Sequence, residues 1–174
     1  MKKYKIPGPR EVRRLAEKKE DENNDFRIFL KGCDTSYDEM DAVAKRVYRE
    51  IKEQFDCKLC GNCCKESGPV IETGDIPKIS KALGMTESEM IKEYLQREYD
   101  YGEYEIKKLP CFLLDPSTNT CKLQEKDKPK GCREFPYFEK GKIAFKTISL
   151  MGNCYFCPIS YTVFEELKVL LGFQ

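Results

Sequence analysis

The sequence predicts a small α+β domain that is mostly helical, with two short β-hairpins and cysteine-rich loops. Apolar residues recur at steps of three and four behind two capping boxes, which is typical of amphipathic helices. Two further stretches place β-prone residues on both sides of turn-forming residues. The chain of 174 residues also contains ten cysteines and no histidine. Such a cysteine content predicts a domain that bound metal helps to stabilise.

Residues 1–32 are predicted to form a charged N-terminal extension, and residues 33–174 a cysteine-cluster domain with its metal core at 57–158. Residues 9–20 form a helix candidate with little apolar face, either a solvated helix or a partner-binding arm. The apolar residues that follow are candidates for docking on the body as a short strand or an anchor: Phe26, Ile28, Phe29 and Leu30.

Four helices are predicted after this extension. A capping box at Ser36 and Glu39 opens a helix that runs to about Phe55. Its apolar residues form one stripe, which indicates a core helix: Met40, Val43, Ala44, Val47, Ile51 and Phe55. The other predicted helices are 75–83, ended by Gly84; 86–98, opened by a capping box at Thr86 and Glu89; and 159–171, ended by Gly172.

Two β-hairpins are predicted in the second half of the chain. The first spans residues 105–123, with its turn at 115–119, where Asp, Pro, Ser and Asn favour a reversal of the chain. The second spans residues 137–148, with its turn at 140–141.

Charge and composition exclude several classes of function. Lysine and arginine total 31 against 30 aspartates and glutamates, so we expect no nucleic-acid partner. No apolar stretch has the ~18 residues needed to span a bilayer. The basic start, residues 1–8, has no apolar run behind it, so we expect no signal peptide and a cytoplasmic protein. In that reducing compartment, cysteines bind metals more often than they form disulfides.

The lack of histidine narrows the kind of metal site. It excludes Cys₂His₂ and Cys₃His zinc, Rieske clusters and histidine-ligated haem. It also excludes Ser-His and Cys-His nucleophilic catalysis. A tetrahedral site built from this chain is expected to use thiolates, so the candidates are iron–sulfur clusters and Cys₄ zinc.

The main cysteine motif is Cys57-Lys-Leu-Cys60-Gly-Asn-Cys63-Cys64. Its spacing resembles the bacterial ferredoxin run and lets a tight loop wrap one metal centre, with Gly61 supplying a positive φ. Adjacent residues of an extended chain point to opposite sides. Cys63 and Cys64 are therefore expected to serve two centres, or one as a ligand and the other in packing. Five further cysteines are candidate ligands: Cys111, Cys121, Cys132, Cys154 and Cys157.

Nine candidate ligands exceed by one the eight that two [4Fe–4S] clusters require. The spare cysteine is most simply Cys154, whereas Cys33 lies outside the motif and is expected to be a small buried apolar residue. Arg133 is a candidate cofactor contact, because a guanidinium beside a thiolate-ligated cluster offsets its negative charge. The alternative for Arg133 is a surface ion pair with Glu134 or another carboxylate.

These motifs resemble the CxxCxxCC cysteine-cluster family, a zinc- or iron-chelating domain of the YkgJ type to which flagellin lysine N-methylases are related. The resemblance covers about residues 57–158. It rests on the Cys57–Cys64 motif, Asp75-Ile, Cys111-Phe-Leu-Leu, Cys121, Lys-Pro-x-x-Cys132-Arg-x-Phe-Pro and Cys157-Pro. The chain departs from the family pattern at Lys128, where arginine is usual, and at the additional Cys154. The resemblance implies a metal domain.

Three functions are open at this point. The first is an iron–sulfur protein with two [4Fe–4S] centres, acting in electron transfer or as a cluster-bearing subunit of a multiprotein redox complex in anaerobic metabolism. The second, implied by the resemblance, is an iron–sulfur-dependent enzyme similar to protein N-methyltransferases, although no glycine-rich nucleotide loop is present. The third is a zinc-stapled module that binds other proteins.

Overall fold

The computed structural model describes residues 2–97 and 102–174. The helices in these ranges are α1 Val12–Lys18, α2 Glu20–Gly32, α3 Tyr37–Lys52, α4 Cys57–Cys60, α5 Asn62–Glu66, α6 Ile76–Leu83, α7 Glu87–Tyr94, α8 Lys130–Glu134, α9 Thr147–Cys154 and α10 Pro158–Leu170. The strands are β1 Ile71–Glu72, β2 Leu95–Arg97, β3 Glu103–Ile106, β4 Leu114–Asp115 and β5 Thr120–Cys121. The predicted α+β class is confirmed. None of the helices described is both long and apolar enough to cross a membrane.

The chain divides into two compact units. The terminal unit comprises Met1–Asp56 and Pro136–Gln174, and the cysteine unit comprises Cys57–Phe135. The sequence predicts a domain boundary after residue 32, which does not coincide with this division. That predicted boundary stays a prediction.

Helices α3 and α10 form the centre of the terminal unit, and α9 packs against α10. The capping box predicted at Ser36 begins α3, where Ser36 Oγ accepts a hydrogen bond from Glu39 N at 3.3 Å. Large apolar side chains from both helices are buried: Met40, Val47, Ile51, Ile159, Val163, Phe164 and Leu167. Burial of each such side chain contributes about 1.5–3 kcal/mol to folding, so this apolar contact holds the unit together.

The first two helices pack into the terminal unit and are not solvated all round. Val12 and Ala16 on α1 are fully buried. Phe26 on α2 is also fully buried and lies edge-on to Phe164, with ring centroids 5.5 Å apart. Ile28, which was predicted to anchor with them, is 63% exposed, whereas the anchoring role predicted for Phe26 and Leu30 is confirmed. They lie on a helix instead of a short strand, because a spacing of four residues places both on one helical face.

The hairpin predicted at 137–148 is wrong, because this segment forms 3-10 turns and the start of α9. Tyr137 and Lys142 have φ angles of 74° and 59°, which a regular strand does not allow. Asp41 on α3 accepts hydrogen bonds from Lys142 N at 2.5 Å and Ile143 N at 3.0 Å. A contact with a helix distant in sequence therefore outweighs the local alternation of apolar residues.

The cysteine unit contains a three-stranded antiparallel sheet in the order β1-β3-β2. Leu95 of β2 pairs with Ile106 of β3. This pairing explains why α7 ends at Tyr94, whereas the sequence predicts a helix that continues to Glu98. Glu98 itself lies outside the described residues.

The hairpin predicted at 105–123 is confirmed at its turn and is shorter in its strands. Leu114 of β4 pairs with Cys121 of β5, and Asp115 with Thr120. The first part of the predicted hairpin belongs to β3, which pairs with β1 and β2.

A hydrophobic cluster forms the core of the cysteine unit. Its buried members are Ile71, Ile76, Ile79, Met90, Leu95, Ile106, Cys111, Leu113, Leu114 and Leu123. Cys64 and Cys121 are partly buried and pack against this cluster. Three of the candidate ligands therefore lie in or beside the core of their unit.

Candidate metal centre

The nine candidate cysteines lie in two different units. The cysteine unit contains seven of them: Cys57, Cys60, Cys63, Cys64, Cys111, Cys121 and Cys132. The terminal unit contains the other two, Cys154 and Cys157. All of these cysteines are free thiols. The cysteine unit alone therefore contains more thiols than one four-cysteine site requires.

The Cys57–Cys64 motif folds as two short helical turns, α4 and α5, joined at Gly61. Gly61 adopts a φ of 56°, the positive value that the sequence predicts for it. Its N–H donates to Cys57 O at 3.0 Å, which closes the first turn. Cys63 and Cys64 lie on a helix, where adjacent side chains are about 100° apart, and not in extended chain. The extended chain assumed for these two cysteines is therefore wrong, and their separate roles, at two centres or as one ligand and one packing residue, stay a prediction.

Backbone hydrogen bonds connect this motif to the cysteines that follow. Cys111 N donates to Cys64 O at 2.7 Å, and Leu114 N donates to Cys111 O at 2.9 Å. Leu114 is in turn the strand partner of Cys121. Cys64, Cys111 and Cys121 are thus linked by consecutive backbone contacts beside one hydrophobic cluster.

Cys132 lies on α8, whose start is held by a buried carboxylate. Asp75 is only 6% exposed and accepts a hydrogen bond from Lys130 N at 3.1 Å. Lys130 is the first residue of α8, where backbone N–H groups lack partners within the helix. The role of Asp75 in holding α8 was not predicted, because the two residues are 55 positions apart in the sequence.

Burial controls the protonation of most thiols in the cysteine unit. It raises the pKa of Cys111 to about 11 and that of Cys132 to about 12, and neighbouring thiolates add to both shifts. Burial also raises the pKa of Cys60 and Cys121. The thiolates that raise the pKa of Cys132 are those of Cys64, Cys111 and Cys121. Metal binding at these thiols would therefore release protons.

Cys64 differs from the other thiols. A hydrogen bond with the Cys63 thiol lowers the pKa of Cys64 to about 7, although burial acts in the opposite direction. The ammonium groups of Lys128 and Lys65 lower this pKa further. The hydrogen bond and the two ammonium groups therefore favour the thiolate form of Cys64, which is the form that binds metal.

The thiols do not form a preformed coordination site in the described residues. In residues 2–97 and 102–174, no three Cys, Asp or Glu side chains are grouped closely enough to hold one metal ion. Metal–sulfur bonds are short, about 2.3 Å for zinc. Binding would require the cysteine-bearing turns to move closer together.

Lys128 is a cation beside these thiols. Its Nζ pairs with Glu125 at 2.7 Å, and its side chain is only 21% exposed. Arg133, which the sequence predicts as a cofactor contact, is exposed and donates a hydrogen bond to Lys128 O. The contact of Arg133 with a cofactor stays a prediction.

Cys154 and Cys157 have structural partners in the terminal unit. Cys154 is fully buried, donates a hydrogen bond to Leu150 O at 3.3 Å, and has a pKa that burial raises well above its ordinary value. Cys157 precedes α10, and its sulfur accepts a hydrogen bond from Ser160 N at 3.4 Å. The roles predicted for them, Cys157 as a ligand and Cys154 as a spare or additional ligand, stay predictions.

The comparisons with known proteins agree with a metal domain. The model of the CxxCxxCC family, described as "Putative zinc- or iron-chelating domain", matches residues 56–157. No curated protein and no solved structure matches the chain. The matched segment is more than half of the 174 residues and contains all nine candidate cysteines. A donor set of thiols without histidine suits both metals in that description. The chain therefore belongs to the CxxCxxCC family of zinc- or iron-chelating domains.

Proposed function

We propose that the thiols of the cysteine unit bind an iron–sulfur cluster, and that the protein acts in electron transfer or as the cluster-bearing subunit of a redox complex in anaerobic metabolism. The observation that carries this proposal is a chain without imidazole in which consecutive backbone contacts link Cys64, Cys111 and Cys121, and in which Cys132 interacts electrostatically with all three. Four thiolates are the usual ligands of a [4Fe–4S] cluster.

The residues around these thiols suit a redox centre. A bound cluster supplies one-electron chemistry, and nearby charges and hydrogen bonds tune its potential. Lys128 would offset the negative charge of a thiolate-ligated cluster and so raise its reduction potential. We propose the same role for Arg133, which is adjacent to Cys132 in the sequence. The apolar side chains of Leu113 and Leu114 would limit the access of water.

We propose two [4Fe–4S] centres, which need eight thiolates. The seven cysteines of the cysteine unit are enough for one complete centre. Iron content separates the two cases, with about eight iron atoms per chain for two centres and about four for one. The variants Cys154→Ser and Cys157→Ser test whether the terminal unit supplies ligands, because replacement of a ligand should lower the iron content of the protein.

Oxygen-free purification, followed by analysis of iron, sulfide and zinc and by visible spectroscopy, tests the proposed function. We expect a brown protein that contains iron and acid-labile sulfide in equal amounts. Cys64→Ser should lose bound iron, whereas the matched control Cys33→Ser, outside the motif, should retain it. A colourless protein with stoichiometric zinc and no sulfide would overturn the proposal.

A structural zinc site is the second candidate, because the same four thiols suit tetrahedral zinc. In that case the metal would staple the cysteine unit, and the protein would act by binding another protein. The elemental analysis above decides between the two metals.

A further inference from the structure

We propose that Asn119 is a positioning residue, whose side-chain amide fixes the Cys57–Cys60 turn to the β4–β5 strand pair that carries Cys121, so that both segments can contribute thiols to metal binding. This inference rests on the proposed metal-binding function. Asn119 closes the turn between β4 and β5 and lies two residues before Cys121. It links two cysteine-bearing segments that are far apart in the sequence.

The amide of Asn119 binds the backbone of α4 directly. Its Nδ2 donates to Leu59 O at 2.8 Å and to Lys58 O at 3.3 Å. The last carbonyl groups of a helix have no partner within that helix, and in a single turn this applies to every carbonyl. Asn119 therefore caps α4 with a side chain from another part of the chain.

The other two carbonyls of α4 also have partners. Cys57 O accepts from Gly61 N at 3.0 Å, and Cys60 O accepts from Lys65 Nζ at 3.4 Å. Lys65 is an exposed, flexible side chain, and Gly61 continues the same turn. Of these contacts, only that of Asn119 fixes α4 to a separate strand pair.

The backbone on both sides of this contact is adapted to it. Asn119 has a φ of 58°, a left-handed conformation that asparagine tolerates better than most residues. A Cβ atom at Gly61 would lie 2.9 Å from both Nδ2 and Oδ1 of Asn119. The absence of a side chain at position 61 thus leaves the space that the amide occupies.

Hydrophobic burial does not hold α4 in place. None of its four residues is buried, and Leu59 is 80% exposed. The hydrophobic cluster of the cysteine unit contains no residue of α4. Loss of the amide should therefore loosen the Cys57–Cys60 turn and leave the core of the unit intact.

Two variants separate the amide from the backbone conformation. Asn119→Gly keeps the left-handed φ and removes both hydrogen bonds, and Asn119→Asp keeps the size of the side chain and removes the donors. The matched control is Asn24→Asp on α2, where Asn24 Nδ2 also donates to a backbone carbonyl, Glu20 O, at 3.1 Å. The readouts are oxygen-free titration of the metal-free protein with Co²⁺, followed by its thiolate charge-transfer spectrum, and the urea midpoint of the metal-free protein.

We expect both Asn119 variants to bind Co²⁺ at least about tenfold more weakly than the wild type, with an unchanged urea midpoint. Asn24→Asp should bind Co²⁺ as the wild type does. Wild-type affinity in either Asn119 variant, or a fall in affinity that a lower urea midpoint accompanies, would overturn the inference. A purified wild type that binds Co²⁺ but contains no iron or sulfide would overturn only the iron–sulfur proposal. A wild type that binds no Co²⁺ would overturn both.

Discussion

At the scale of single residues, the buried carboxylate of Asp75 is the clearest case of a side chain that orients a candidate ligand. It accepts the hydrogen bond from Lys130 N at the start of the helix that carries Cys132. Asp75→Ala would leave this N–H without its partner, and we expect unfolding to become easier by about 1–3 kcal/mol. We also expect weaker metal retention, because Cys132 would lose its fixed position. Urea unfolding and metal content measure the two effects.

Two variants control for this prediction. Asp75→Asn keeps an oxygen that accepts the hydrogen bond, so it should recover most of the stability. Lys130→Ala removes only the exposed ion pair of Lys130 Nζ with Glu72, and such surface pairs contribute little. If Lys130→Ala destabilised the protein as much as Asp75→Ala does, the carboxylate–backbone contact would not be the cause.

A second residue-scale prediction concerns Glu22 in the terminal unit. Burial raises its pKa, but hydrogen bonds from Lys168 and Lys19 lower it more, so the net shift is downward. A carboxyl group whose pKa is lower in the folded state than in the unfolded state stabilises the fold at pH values above the unfolded pKa, which is about 4.3. This contribution is lost as the pH falls through the folded pKa. The side chain of Glu22 is 42% exposed, so we expect Glu22→Gln to cost only about 1 kcal/mol at neutral pH.

The difference in unfolding free energy between wild type and Glu22→Gln should shrink as the pH falls below the pKa of the unfolded carboxyl group. It should vanish in strong acid. Urea unfolding at several pH values measures it, with Glu53→Gln, at another exposed glutamate, as the control. A difference that stayed constant across the acid range would show that Glu22 acts by its shape and not by its charge.

The cysteines of the candidate site were predictable from the sequence. The side chains that hold the cysteine-bearing segments in place were not. Thiol chemistry belongs to the cysteine residue itself, so spacing alone identified the Cys57–Cys64 motif. Asn119 and Asp75 act through backbone partners 60 and 55 residues away in the sequence. An asparagine in a turn and an aspartate before a helix are common without any such contact. Their roles became visible only in the fold.

At the scale of elements, predictions succeeded where the signal is local. The capping boxes at Ser36 and Thr86 both form, with the reciprocal hydrogen bonds that the sequence predicts. Helix α6 ends at Gly84, as predicted, with a φ of 70°. The hairpin at 137–148 failed because Asp41, about a hundred residues away in the sequence, binds the backbone of that segment. Local alternation carries no information about such a partner.

The junction between α4 and α5 gives a prediction at this scale. Gly61→Ala places a side chain at a φ of 56° and within 2.9 Å of the Asn119 amide. The left-handed conformation alone costs about 1–2 kcal/mol for a residue with a Cβ. We expect that loss of stability together with weaker Co²⁺ binding, because the Asn119 contact must also shift.

Gly84→Ala is the matched control for this prediction. Its φ of 70° imposes a similar strain, but a Cβ there would meet nothing within 4 Å. It should lower stability and leave Co²⁺ affinity unchanged. In a double-mutant cycle, Asn119→Gly should relieve the part of the Gly61→Ala effect that arises from the close contact. Simple addition of the two single effects would argue against direct contact between positions 61 and 119.

At the scale of the whole molecule, the two units differ in what stabilises them. The terminal unit buries large apolar side chains of its own, among them Phe26, Met40, Phe138 and Phe164. The core of the cysteine unit is bordered by thiols, and Cys111 is part of it. Structural metal contributes about 10–16 kcal/mol in small zinc-binding peptides, which exceeds the net stability of most domains. Metal should therefore matter more to the cysteine unit.

We accordingly predict that removal of metal lowers hydrogen-exchange protection mainly within residues 57–135, while α3 and α10 stay protected. The comparison is between metal-loaded protein and protein treated with a chelator under reducing, oxygen-free conditions. Cys64→Ser is the control, because a variant that binds no metal should not respond to the chelator.

The hydrogen-exchange protection of residues 136–157 tests whether Cys154 and Cys157 bind metal. If their protection also falls, these two cysteines take part in metal binding, and if only 57–135 respond, the cysteine unit holds the metal alone. Unchanged protection throughout would mean that metal is not part of the fold.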